Sequence, residues 1–315
     1  MFGSFIKMII SAALILFVIG AGLLLTIPDV TQIQRCMTTS MFEVYLCEKS
    51  ESYVKLENIS PYVIHAVISA EDGAFYSHKG FDWHEIQESV TANLKSGESK
   101  RGGSTLTQQL AKNVFLNQDK SLLRKVKEAY LAHAIETRYS KNFILEKYLN
   151  VVEFGPKLYG IKAAANHYFK KRPSELQPLE AAYLAHLLPN PKKYSSGFRK
   201  GALSSFSIRM IKIILKRMEA YGKLSPGAYE TSLAYIDSFP WQNVTLSMFN
   251  EVPSYSLETD VPAPSAADLN EVEPRSDEDE FGASNVDSAR ETPSESEIES
   301  DVDREVNSVQ EKDFE

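Results

Sequence analysis

The stretch ISAEDGAFYSHKGFD, residues 68–82, brings two adjacent acids, Glu71 and Asp72, to the end of a mostly apolar approach, YVIHAVISA. Phe75, Tyr76 and His78 follow within six residues. A carboxylate carried to the rim of an apolar core loses part of its hydration. That loss raises its pKa and suits it to taking a proton near neutral pH. The competing account is a helix-end acid held by a local cap, with His78 as a satisfied neighbour. This stretch alone leaves both accounts open.

Two further stretches could do chemistry. In RGGSTLTQQLAKN, residues 101–113, paired glycines permit a tight loop and Ser104 or Thr105 can cap the helix that follows. Thr105, Gln108 and Lys112 then share one helix face. A helix N-terminus with free N–H groups, flanked by Lys100, Arg101 and Lys112, suits an anion or a sugar. An ordinary capped helix would read the same way. In KSLLRKVKEA, residues 120–129, Glu128 follows Arg124 by four positions and Lys125 by three, so the three share a face. Lys120 adds a cation at the helix start. A solvated ladder of ion pairs is the plain alternative.

Other motifs serve to exclude. HEIQE, residues 84–88, lacks the second histidine of a zinc-protease helix. SFIK and SYVK match Ser-x-x-Lys, but one enters an apolar span, the other lies in a connector, and no Lys-Thr-Gly accompanies them. A penicillin-reactive transpeptidase domain is therefore excluded.

The elements that must carry these residues are helical. From Pro61 to about Gly222, apolar residues recur at three- and four-residue spacing through segments such as DWHEIQESVTANL, LLRKVKEAYLAHAIETRY and LSSFSIRMIKIILKRMEAY. Turn signals (SGESKRGGS, NQDKS, EFGPKLYG, KKRPS, PNPKKYSSG) separate them. VIHAVIS is the single stretch with a strand-like alternation. The expected fold is mainly α, one helical domain over 61–222, with a connector at 29–60 and an appendage at 223–250.

Charge divides the 315-residue chain. Residues 251–315 hold 21 acids and four bases, a net of −17, which leaves +9 on residues 1–250. The acidic tail is rich in Ser and Pro and poor in aromatics, so it cannot bury enough apolar surface to fold, and disorder is expected. At the other end, Met8 to Ile27 carries no charge, and at ~1.5 Å per residue it spans a ~30 Å hydrocarbon core. An uncleaved anchor (residues 1–28 with its cytoplasmic stub) is expected, and Lys7 before it places the body outside the cytoplasm. A cleaved signal peptide is the rival. Cys36 and Cys47 either pair in an oxidising envelope or stay free.

In order and spacing these stretches resemble the glycosyltransferase family of peptidoglycan polymerases, family 51 in the sequence-based classification. EDGAFYSHKGFD is similar to its first motif, GGSTLTQQLAKN to its second and RKVKE to its third. KNFILEKYLNVVEFGPKLYGIKAAANHYF resembles the fourth, and LEAAYLAHLLPNPKKY the fifth. With an N-terminal anchor and no transpeptidase, the resemblance is to the monofunctional enzymes. It implies a lysozyme-like helical domain with a smaller membrane-apposed lobe, acting on lipid II. It further implies that Glu71 is the base that deprotonates the acceptor 4-hydroxyl, giving an inverted β-1,4 linkage. Glu128 is implied as the second acid, assisting departure of the diphosphate directly or through a divalent metal.

By the same resemblance Lys112, Lys120, Arg124 and Lys125 face the diphosphate. Asp72, Ser104, Gln108 and Gln109 make sugar and structural contacts, and Asn113 belongs to the second motif. No cofactor is required, with a divalent cation (Mg or Mn) as an option at Glu128. The partners implied are lipid II, the growing glycan strand, the membrane and cell-wall synthesis or division proteins, without nucleic acid. The location implied is the bacterial inner membrane, single-pass, with the catalytic domain on the periplasmic side. A lysozyme-like hydrolase and a non-catalytic membrane scaffold are the alternatives. Two departures touch loop geometry: Pro156-Lys157-Leu158 stands where relatives are often glycine-rich, and Lys170-Lys171 where Gly-Lys is usual. Lys120 also stands where many relatives have arginine.

Overall fold

The structure is a computed structural model that describes residues 26–96, 103–119 and 121–241, together with Ile10 and Leu14. Most of the apolar stretch 8–27, the cations Lys100, Arg101 and Lys120, and the acidic tail lie outside the described residues. Among the described residues, no helix is long and apolar enough to cross a membrane.

The fold is mainly helical, and its order follows the turn signals. A small hairpin, β1 (Met37–Thr38) with β2 (Tyr45–Leu46), precedes α1 (Pro61–Glu71), α2 (Trp83–Ser96), α3 (Leu106–Phe115), α4 (Leu122–Arg138) and α5 (Lys141–Val151). A second hairpin, β3 (Glu153–Gly155) with β4 (Leu158–Tyr159), leads into α6 (Ile161–Phe169) and α7 (Pro178–Leu187). Two single-turn helices, α8 (Pro191–Tyr194) and α9 (Ser196–Arg199), precede α10 (Ser205–Ala220) and α11 (Pro226–Tyr235).

The centre of the core is α7, every residue of which is buried. A helix apolar on all sides must be enclosed, and α1 and α10 pack against it while also touching each other. The VIHAVIS alternation is overruled here. It lies in α1, begun by Pro61 at the first helical position, with residues on several faces buried between α7 and α10. One polar side chain inside α7 is satisfied locally: Glu180 accepts from Lys171 Nζ at 2.8 Å and from Gln177 N at 2.8 Å.

A second group of helices carries the motif residues. α3 lies against both α4 and α5. Serine or threonine caps start all three: Thr105 accepts from Gln108 N, Ser121 from Arg124 N and Ser140 from Phe143 N.

The stretch read as a connector is docked. Cys36 and Cys47 form a disulfide that closes the first hairpin. Ser40 N donates to Val114 O at 2.9 Å, joining the hairpin to the end of α3. On the other side Val54 N donates to Asn150 Oδ1 at 2.8 Å and Lys147 Nζ to Glu48 Oε1 at 2.8 Å, joining the following residues to α5. The described part of the appendage is docked as well, since α11 packs on α10 and α7, and Trp241 is 1% exposed.

Both departures from the glycine-rich pattern fall on left-handed backbone. Lys157, in the turn between β3 and β4, has φ 56°, and Lys170, at the end of α6, has φ 53°. Glycine adopts this conformation without penalty, while a side chain costs roughly 1 kcal/mol. The loops keep the geometry a glycine would give, and the lysines carry the strain.

Candidate active site

Glu71 is the last residue of α1, and an adjacent residue fixes the helix end. Asp72 is buried and both its carboxylate oxygens are hydrogen-bonded. Oδ2 accepts from Leu106 N at 2.9 Å, and His78 Nε2 lies 2.9 Å from Oδ1. Gly80 N donates to His78 Nδ1 at 3.1 Å, so in neutral His78 the proton sits on Nε2 and is donated to Asp72. Gly80 itself has φ +94°, which lets its carbonyl turn to accept from Thr105 Oγ1 at 2.8 Å. The loop 72–80 is thereby tied to the start of α3.

This tie decides between the two readings of α3 in favour of the capped helix. Two of its N-terminal N–H groups are already used, Leu106 N by Asp72 and Gln108 N by Thr105 Oγ1. Gln108 is also turned back, since its Oε1 accepts from Thr105 N in a reciprocal capping box. Thr105, Gln108 and Lys112 do fall on one side of the helix, but Thr105 and Gln108 are buried in the cap and only Lys112 is left partly exposed. Asp72 and Gln108 direct their polar atoms into the protein, and Asn113 is buried in the second half of α3.

Gln109 and Lys112 are the residues of α3 that meet the acids. Gln109 Nε2 donates to Glu71 Oε2 at 2.8 Å. Glu71 keeps part of its surface open, yet protein surrounds it on most sides. Burial pushes its carboxyl pKa up. The Gln109 N–H and the Lys112 charge pull the other way, while Asp72 adds to the rise. Lys112 is perturbed in the opposite sense: burial pushes it down, the Glu128 and Glu71 carboxylates support its charge, and Arg124 and Lys125 oppose it.

Glu128 projects from α4 and is 3% exposed, so it is no member of a solvated ladder. Lys125 Nζ donates to its Oε1 and also to Ser104 Oγ, the latter at 3.0 Å. This one ammonium holds the loop before α3 to α4. Arg124 is half-buried, and its Nε has no hydrogen-bond partner among the described residues. Glu71, Lys112, Glu128, Arg124 and Lys125 thus form one cluster with Lys112 at its centre. Ser104 joins it through Lys125, and Lys120 lies outside the described residues.

The metal option can be tested on the donor set. Among the described residues no group of three or more His, Cys, Asp or Glu is placed to hold a metal ion. Glu128 stands as a single carboxylate already bonded to an ammonium. By themselves these described residues do not enclose a metal ion.

A model of the transglycosylase family matches residues 38–219, more than half of the chain. The chain belongs to that family. The match begins inside the stretch read as a connector, in keeping with the docked hairpin. Among the relatives are biosynthetic peptidoglycan transglycosylases of Aromatoleum aromaticum (47% identical, over 48% of this chain and 66% of the relative) and Dechloromonas aromatica (44%, over 54% and 72%). One from a strain of Azoarcus is 48% identical over 47% of this chain and 64% of its own length. The chain thus spans about two thirds of the length of these relatives.

One site residue had no signal of its own in the sequence. Tyr148 of α5 is completely buried, and its Oη donates to Gln109 Oε1 at 3.0 Å. In KNFILEKYLNVV it reads as one more core aromatic.

Proposed function

We propose that this transglycosylase polymerises lipid II into β-1,4-linked glycan with release of undecaprenyl diphosphate. The observation that carries the reading is Lys112, a half-buried ammonium in the field of both Glu71 and Glu128. It joins two acids from separate helices into a single site.

The chemistry asks for a base at one end and positive charge at the other. Burial raises Glu71 toward the working pH, which strengthens it as a proton acceptor for the 4-hydroxyl of the acceptor sugar. As that oxygen attacks the anomeric carbon from the face opposite the leaving group, the configuration inverts. Negative charge then grows on the departing diphosphate. Lys112, Arg124 and Lys125 supply the positive charge to meet it. Glu128 holds Lys125 in place and keeps charge on Lys112, so its first task is to set the cation geometry. A hydrolase acting on finished glycan has no diphosphate to require such a cluster. The lysozyme-like arrangement, the membrane-apposed lobe, the single span at 8–27 and the periplasmic-side envelope location belong to this proposal.

The deciding experiment gives the detergent-solubilised chain either lipid II or finished glycan strands. Growth of polymer with release of undecaprenyl diphosphate is expected from the first, and no cleavage from the second. Cleavage without polymerisation would replace this reading with the hydrolase.

A further inference from the structure

We propose that Tyr148 is a positioning residue that orients the Gln109 amide so that its Nε2, and not its Oε1, faces Glu71. The geometry is a short relay across three helices. Tyr148 Oη of α5 donates to Gln109 Oε1 of α3 at 3.0 Å, and Gln109 Nε2 donates to Glu71 Oε2 of α1 at 2.8 Å.

A glutamine amide has nearly the same shape when its oxygen and nitrogen are exchanged, so hydrogen bonds decide which end points where. The flipped amide would set Oε1 against the Glu71 carboxylate, two acceptors facing each other. A protonated Glu71 could tolerate that arrangement by donating its own proton. Without another constraint, the amide would therefore follow the charge on Glu71. The Tyr148 hydroxyl works against the flip, for although its oxygen could accept from Nε2, its proton fits Oε1. It is completely buried, and burial beside Glu71 and Asp72 keeps it a phenol. A flipped amide would leave its proton without the acceptor it has now, which is costly inside a core.

The consequence concerns when Glu71 is charged. An N–H held toward the carboxylate favours the ionised, proton-accepting form. The other groups around Glu71 are Asp72 beside it and Lys112 on α3, the latter linking to Glu128, Arg124 and Lys125 of α4. From α10 Arg217 reaches the Ser69 carbonyl at 3.3 Å, and beyond it the Tyr221 hydroxyl would lie 3.0 Å from a Cβ at Gly73. Tyr148→Phe changes none of these charges and keeps the ring. Its effect is confined to the freedom of the amide.

The test is a titration of the full-length, detergent-solubilised protein carrying carbon-13 in its glutamate carboxyls, with the Glu71 signal assigned by its absence in Glu71→Gln. Tyr148→Phe should move the Glu71 midpoint up by about half to one pH unit. In a Gln109→Leu background, where Glu71 already titrates high, Tyr148→Phe should add nothing. An unmoved midpoint, or the same shift persisting without Gln109, overturns the proposal. Should Tyr148→Phe fail to fold, Gln109→Leu alone decides: an unmoved Glu71 shows that the amide has no hold on the base.

A second arm rests on the proposed reaction. The acid limb of lipid II polymerisation should rise with the same shift, because a general base is lost as pH falls through its pKa. If the wild-type chain does not polymerise lipid II, the reaction is refuted while the titration still judges Tyr148.

Discussion

Two networks of acids and lysines in this protein behave in opposite ways. Around Lys147, 1% exposed, each charge is matched: Glu48 accepts from Lys147 and Lys55, Glu146 accepts from Tyr53 Oη and Leu56 N, and the ammonium of Lys147 also lies over the Tyr53 and Phe143 rings. The lysine hydrogen bonds hold Glu48 down to about 2. Around Lys112, burial outweighs the pairing, so the acid Glu71 is pushed up and the lysine is pushed down. The first network drives Glu48 and Lys55 away from neutral pH and fixes their charges. The second brings a base and its cation toward neutral pH, where a proton can move. Sequence distance does not separate them, for Lys147 and Tyr148 are neighbours on α5. The difference is that direct lysine hydrogen bonds dominate at Glu48, while burial dominates at Glu71 and Lys112.

The strongest way to break this contrast is Glu71→Gln. It should lower polymerisation by ~10²–10⁴-fold while the melting temperature stays within a few degrees of wild type. Retention of half the activity would remove Glu71 from the base role. Glu128→Gln should lower the turnover number by ~10² with a smaller change in KM, since it disturbs the cations that meet growing charge. An unchanged turnover number would make Glu128 a structural partner of Lys125.

The matched network should respond in stability instead. Lys147→Met should cost about 1–2 kcal/mol, less than a fully buried pair because Glu48 stays partly wet and keeps Lys55. The pH profile of activity should not move. The sign on the acid side follows from Glu48. Its folded pKa lies below the ordinary value of 4.5, so its contribution is fully present above that value and is lost as pH falls through about 2. Acid melts of wild type and Lys147→Met should therefore converge at low pH, and a gap that persists would assign the loss to packing. The smallest change is Lys170→Gly, which relieves left-handed backbone outside both networks and should leave stability within about 1 kcal/mol of wild type, on the favourable side.

How far the sequence was legible differs between these elements. Helical spacing located α2 to α7 and α10 but not α1, whose VIHAVIS read as an alternation, and the acids Glu71 and Glu128 lie together with Lys112, Arg124 and Lys125. Local pattern stopped short where a residue's role depends on a distant partner. Gln108 and Gln109 are adjacent and chemically identical, and only the capping box decides which one turns inward. Asp72 and Glu71 are adjacent acids, one buried and held by α3 and His78, the other partly exposed and held by Gln109. The two hairpins are strands of two or three residues, too short for an alternation to show. The choice between paired and free cysteines was open because eleven residues of spacing say nothing about whether a hairpin brings the two together.

The tryptophans add an optical consequence. The chain has two, Trp83 at the start of α2, 73% exposed, and Trp241 at the end of the described domain, 1% exposed among Phe169, Tyr183 and Phe239. An indole in a rigid apolar cage emits at shorter wavelength than one relaxed by water, so the native spectrum should be a sum of two resolvable bands. Aqueous iodide should quench the red band alone. Loss of the blue band then reports melting of the α6–α7 core, while a change confined to the red band reports something arriving at α2. One cuvette thus gives unfolding and surface engagement as separate colours, with no label attached.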